Sequence, residues 1–186
     1  MNIVFEEDDT YGYRSRTIKN ASADVTIAFA CDFNSAGEKL TKQSVLDQNK
    51  LYIKIELDKL ISKEVFINTA NDLAKSILCL NKPKIILNVA GNGLYTLRNS
   101  PINNQNTIDY YVYVLLNELV NILDNRVIIT MIRSGGQSGV DEAGIKAAIK
   151  LNIPTYILAP KGWVFRDEFG VDYSDEAKFK NRFNIQ

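Results

Sequence analysis

Ser134, Gly135, Gly136, Gln137, Ser138 and Gly139 make an uncharged, glycine-rich turn between an apolar run and a helical pattern, and Asp141 and Glu142 follow in that helix's first turn. Such a turn has the composition of an anion cradle. Glycine has no Cβ, so the backbone can take positive φ and a ligand can come close to the amides. Ser134 or Ser138 can cap the helix, and the free amides of its first turn, with the positive end of the helix dipole, favour an anion above the strand. The pair Asp141 and Glu142 offers acid or base chemistry at a sugar carbon. Adjacent helical residues point about 100° apart, so at most one of the two faces a ligand.

Three further segments carry the same kind of signal. Gly91-Asn92-Gly93 follows an apolar run ending in Ala90, with Tyr95 and Arg98 just beyond. Pro160-Lys161-Gly162 follows another, and Lys161 can meet a phosphate as a point charge or remain a solvated side chain. Asn34, Ser35 and Gly37 precede a helical pattern and read as a helix cap. Residues able to read a base are Tyr95, Trp163 or Phe165, chosen from their places in loops.

Composition limits the chemistry. The chain has no histidine, which removes the commonest general base, the usual zinc ligand and every Ser-His or Cys-His dyad. Lysine plus arginine and aspartate plus glutamate both number 22, so no global field draws the protein to nucleic acid or to an anionic membrane, and phosphate recognition must be local. Cys31 and Cys79 lie in apolar runs without metal-ligand spacing, and buried free thiols in a reducing compartment are expected. No apolar run reaches the roughly 18 residues of a membrane span, and the acidic N-terminus is unlike a signal peptide. A cytoplasmic protein of one domain, residues 1–186, without a metal or a required cofactor, is expected.

The elements that must position these residues alternate. Residues 24–33, 51–57, 84–90, 126–132 and 154–159 read as strands, several of them continuously apolar as in a parallel sheet covered on both faces. Between and after them, residues 38–48, 68–80, 107–124, 140–151 and 175–183 have helical periodicity. Residues 2–6 suit an edge strand, 7–13 a polar loop and 99–106 a surface loop. This βαβ rhythm predicts an α/β, Rossmann-like doubly wound domain with a mostly parallel sheet and helices on both faces, its ligand site outside the carboxyl ends of the strands. The helical pattern over 107–125 is apolar around most of its circumference, including Tyr110, Tyr111, Tyr113, Leu116, Leu119 and Leu123. Such a helix needs cover on two sides, from the sheet and from either a second subunit or a loop of the same chain. A homodimer or larger homo-oligomer is expected.

Together the segments resemble a known family. SGGQSGVDEAG, followed by APKG, is similar to the SGGQTGxDxA and PKG signatures of the molybdenum-cofactor carrier proteins, which belong to the SLOG superfamily of Rossmann-like nucleotide binders. RTIKNASADVTIAF (16–29), SAGEKLT (35–41) and LNVAG (87–91) resemble that family's RTxxNxxxSDxTLxF, GGTxLT and LNVAG, so the resemblance covers most of the chain. The order differs by a circular permutation, which implies that Met1 and Gln186 are spatial neighbours. The permuted version is similar to small proteins of phage and bacterial genomes.

The resemblance implies a nucleotide loop made of Ser134, Gly135, Gly136, Gln137, Ser138, Gly139 and Asp141, facing a wall of Arg16, Thr17 and Asn20, with Ala90, Gly91, Asn92, Gly93 and Lys161 on the same sheet edge. Arg16 suits bidentate phosphate contact unless it is a solvated charge; Asp141 suits a ribose or base, or simply the helix dipole. Phosphoribohydrolases of the LOG type carry PGGxGTxxE, whose glutamate works at the N-glycosidic bond. Here SAGEKLTKQ stands in its place: Ala36 replaces a glycine, no GT follows, and Thr41 to Gln43 supply no carboxylate, so the expected acid is missing. The resemblance thus implies a binder of a nucleotide, an ADP-ribose-like ligand or a cyclic nucleotide signal, acting as carrier, sensor or phage-encoded sponge. The alternative it implies is a nucleotide N-glycosidase or phosphohydrolase.

Overall fold

The computed structural model describes residues 2–183. Strands β1 (Ile3–Glu7), β2 (Val25–Ala30), β3 (Leu51–Glu56), β4 (Lys84–Gly91), β5 (Ile128–Ser134) and β6 (Thr155–Ala159) form one sheet in the order β1-β6-β5-β4-β2-β3. Every pairing in it is parallel. The helices are α1 (Arg14–Asn20), α2 (Ala36–Asp47), α3 (Lys63–Leu78), the short α4 (Leu94–Leu97), α5 (Gln105–Leu123), α6 (Val140–Lys150) and α7 (Glu176–Asn181). An antiparallel hairpin, β7 (Val164–Arg166) with β8 (Asp172–Ser174), precedes α7. The chain has a Rossmann-like doubly wound fold.

The sequence dictates this locally. All six residues of β2 are buried, as a strand covered on both faces requires. Side chains of Ser35, Ser62, Asn104 and Asp175 cap α2, α3, α5 and α7 by accepting backbone N–H groups. The four long helices end in left-handed Asn or Asp residues, Asn49, Asn81, Asp124 with Asn125, and Asn152, the short polar side chains that tolerate positive φ best after glycine. Each stop turns the chain back into the next strand.

Two apolar clusters hold the layers. The larger joins Val25, Ile27, Phe29, Leu87 and Val89 of the sheet to α3, α5 and α6. The alternate residues of the same strands, such as Thr26 and Asn88, belong to the other face, which α1 and α2 cover. The smaller cluster packs Phe165, Phe179 and Phe183 on Ile145, Ile157 and Ala159.

Several expectations change in detail. Residues 14–20 form α1, a helix without an apolar stripe, and 105–106 belong to α5 rather than to a surface loop. Cys79 is exposed and Cys31 only half-buried, because Cys79 follows the last residue of α3 as its C-cap instead of facing the sheet. Strand β1 does lie at the sheet edge, beside β6. Met1 and Gln186 lie outside the described residues. Near the two ends of the described residues, the Phe5 and Phe183 rings stand 5.9 Å apart.

Candidate functional site

The winding of the sheet reverses between β2 and β4. From β2 the chain crosses through α2 to β3 on one side, and from β4 it crosses through α5 to β5 on the other, although β2 and β4 are neighbours paired from Val25–Leu87 to Phe29–Gly91. Their connections therefore part at the carboxyl ends and leave a crevice, the usual ligand position in open α/β sheets. Asn92 ties the two strand ends together. Its Oδ1 accepts the N–H groups of Cys31 and Asp32 at 3.1 and 2.9 Å, and its Nδ2 donates to the Asp32 carbonyl at 3.1 Å.

A cleft of about 650 Å³ opens there. Among the expected residues, Arg16, Thr17, Asn20, Ala90, Gly91, Asn92, Gly93, Gly135, Gln137, Ser138, Asp141 and Lys161 line it. Four do not. Ser134 is fully buried and donates to the Val89 carbonyl at 2.8 Å, joining β5 to β4. Gly136, with φ of +71°, leaves room for Phe179, whose Cζ would lie 2.5 Å from a Cβ. Gly139, with φ of +90°, sits 2.5 Å from the Asn92 carbonyl by the same measure. Glu142 is buried away from the cleft in ion pairs with Lys146 and Arg182 at 2.6 and 2.8 Å.

The loop is thus not a bare cradle. Its Gly139 N–H donates to Gln105 Oε1 at 2.7 Å, Val140 N–H to the Asn92 carbonyl at 3.2 Å, and Gln137 N–H to Asp141 Oδ2 at 3.4 Å. Gly135 is roofed by side chains: a Cβ there would meet Asp141 Oδ2 at 2.6 Å and Arg16 Nη1 at 2.7 Å. The glycines serve close packing of protein on protein, and the charge offered to a ligand comes from side chains.

Arg16 is buried, and its Nη1 donates to the Gly135 carbonyl, so it is no solvated charge. Burial pulls its pKa down against the opposing pull of Asp141 and Asp8; burial likewise raises the pKa of Asp141 against Arg16. Lys161 stands 4.7 Å over the Tyr11 ring at the cleft wall. Arg166, another lining cation, makes two 2.7 Å bonds to Asp172.

Sequence reasoning missed Glu38. It lies in the first turn of α2, lines the cleft and is only 3% exposed. Burial, with Asp141 and Asp32 nearby, raises its pKa to about 8, so it carries a proton at neutral pH. The segment SAGEKLTKQ does bring one carboxyl to the cleft, at Glu38, while 41–43 supply none. Its signal was visible: Ser35-x-x-Glu38 is a capping-box pattern. Ser35 Oγ does accept Glu38 N–H at 3.4 Å, but among the described residues the Glu38 carboxyl makes no return bond, and its Oε2 is buried without a partner.

The aromatic candidates divide. Tyr95 lines the cleft with Tyr11 and Tyr13, and Arg98 stacks on its ring at 4.0 Å. Trp163 and Phe165 instead pack against Phe179 at 5.5 and 6.1 Å, in the smaller apolar cluster. No protein-family model matches the chain, and comparisons with curated proteins and with solved structures gave no significant match.

Proposed function

We propose that the cleft binds a nucleotide or nucleotide derivative and that the chain acts as a carrier, sensor or sequestering protein for it. The observation that carries this reading is the convergence of Arg16 and Lys161 with the Asn92-tied strand ends, in a cleft of about 650 Å³ at the reversal of the sheet. Small-molecule sites typically measure ~300–1,000 Å³, which admits a mononucleotide or an ADP-ribose-sized ligand. With Glu38 protonated, the lining cations Arg16, Lys161 and Arg166 outnumber the carboxylates Asp141 and Asp172, a balance that favours an anion. The permuted SLOG order agrees with β1 seated beside β6 and with Phe5 packed on Phe183.

One observation favours turnover as a second reading. Glu38 and Asp141 are two carboxyls on one cleft, the first protonated at neutral pH, and such pairs divide acid and base roles. One experiment separates the readings. The protein is incubated with AMP, ADP-ribose and cyclic AMP, heat-denatured, and the released material is chromatographed. Intact ligand recovered stoichiometrically supports binding; free base with ribose phosphate supports the N-glycosidase. Recovery of neither bound ligand nor product from any probe rejects both.

A further inference from the structure

The loop between β1 and α1 carries two tyrosines that the protein leaves largely unpacked. Tyr11 and Tyr13 line the cleft yet are 81% and 53% exposed. Between them Gly12 has φ of +83°, and a Cβ added there would meet nothing within 4 Å. Among the described residues neither tyrosine packs its ring on another ring. Aromatic surface grouped on a cleft, rather than scattered singly, marks a binding contact.

A second, open hollow of about 400 Å³ is lined by Tyr11, Gly12, Tyr13, Arg14, Ala36 and Leu40. It shares the three loop residues and Ala36 with the cleft, so the two adjoin along the loop and the start of α2. Lys161 lines the cleft but not the hollow, and it covers one face of the Tyr11 ring at 4.7 Å. The other face of that ring is left for a planar group. Arg14 is exposed, and among the described residues it has no ion pair, hydrogen bond or ring contact. Ala36 and Leu40 add aliphatic surface, and no carboxylate lines the hollow. Rings, an aliphatic wall and a free guanidinium are what a nucleobase stacks on, whichever base it is. A phosphate would use Arg14 alone and leave the rings and Leu40 wet.

We propose that the hollow is a second base site and that the ligand is a dinucleotide, two nucleosides joined through phosphates. One nucleoside and the phosphates occupy the cleft of about 650 Å³ with Lys161, and the second base stacks in the hollow on Tyr11 and Arg14. This inference rests on the nucleotide reading above. ADP-ribose and diadenosine diphosphate isolate the hollow, because they differ by the adenine on the second ribose. The test is calorimetric titration at pH 7 of the unaltered protein and of Tyr11→Ala/Arg14→Ala with AMP, ATP, ADP-ribose and diadenosine diphosphate. The unaltered protein should bind diadenosine diphosphate about tenfold more tightly than ADP-ribose, the gain expected of one stacked base. The double variant loses two exposed side chains, so its thermal unfolding should be unchanged and its affinities for the two probes should come together. Arg14→Ala alone should reduce the gain in the same sense, which covers the case of a misfolded pair. Equal affinity for the two probes in the unaltered protein, or a gain that survives in the folded double variant, overturns the inference and leaves the nucleotide reading standing. ATP binding as tightly as diadenosine diphosphate makes the hollow an anion site and also overturns it. Binding of none of the four overturns the nucleotide reading and this inference with it.

Discussion

Glu38 shows how one residue couples stability to pH. Its folded pKa of about 8 lies above the ordinary 4.5, so the folded state holds a proton that the unfolded state releases. Stability is therefore greatest below the unfolded pKa, falls as pH rises from there, and levels off once pH passes the folded pKa. Glu38→Gln has no proton to lose. It should match the unaltered protein near pH 5 and exceed it at pH 8.5 by up to about 4 kcal/mol, measured by urea denaturation; a gap that does not widen with pH rules out a buried neutral carboxyl. Lys161, at the cleft wall and without a buried partner, tests the anion end separately. Lys161→Ala should weaken AMP binding several-fold, about 1 kcal/mol, with little change in stability. Neither residue was equally legible in the sequence. Lys161 stands in a visible turn, whereas Glu38 was hidden by a capping pattern that explains its presence without a ligand.

Among the elements, α6 is the joint on which the site depends. Its Glu142 pairs with Arg182 just after α7 and with Lys146, which in turn meets Asp109 of α5 at 2.9 Å. Arg182 also donates to the Gly136 carbonyl at 2.7 Å and lies 4.1 Å over the Phe165 ring. Arg182→Ala leaves a buried carboxylate and a loop carbonyl short of partners, and should cost about 2–4 kcal/mol in thermal or urea unfolding. Gly136→Val should cost at least as much, since positive φ and the contact with Phe179 both oppose it. Any loss of ligand binding in that variant follows from loss of fold; a folded Gly136→Val with normal stability contradicts the packing role. The long helices and sheet strands were legible because their apolar runs are long. Helix α1, with the sequence RSRTIKN, was not, because what holds it is polar: Arg16 reaches the Gly135 carbonyl, and Lys19 meets Asp8 at 2.8 Å. The three-residue strands β7 and β8 are too short for any periodicity to register.

For the whole molecule, the doubly wound sheet was legible from the alternation of strand and helix, but the depth of cover on each side was not. Helix α5 finds its second side of cover within the chain: Tyr111 packs edge-on against Phe66 of α3 at 5.4 Å, and Tyr113 lies beneath Lys150 of α6 at 5.4 Å. Tyr110, 62% exposed, is the part of the tyrosine stripe left for a partner. The proposed homodimer or larger assembly rests there, and light scattering at micromolar concentration should give twice the 21.0 kDa chain mass or more, with Tyr110→Glu returning it to the monomer value; a monomer mass for the unaltered protein sinks the proposal. No helix among the described residues is long and apolar enough to cross a membrane. The pairing of β1 with β6, Ile3 opposite Thr155, has a consequence for biosynthesis. A ribosome delivers β6, the strand that β1 needs, only after β2 to β5 have emerged, and Gly135, the partner of Arg16, only after β5. A nascent chain that stops short of β6 therefore carries β1 and Arg16 with nothing to close against, and the cleft takes shape only once β5 and β6 have been made.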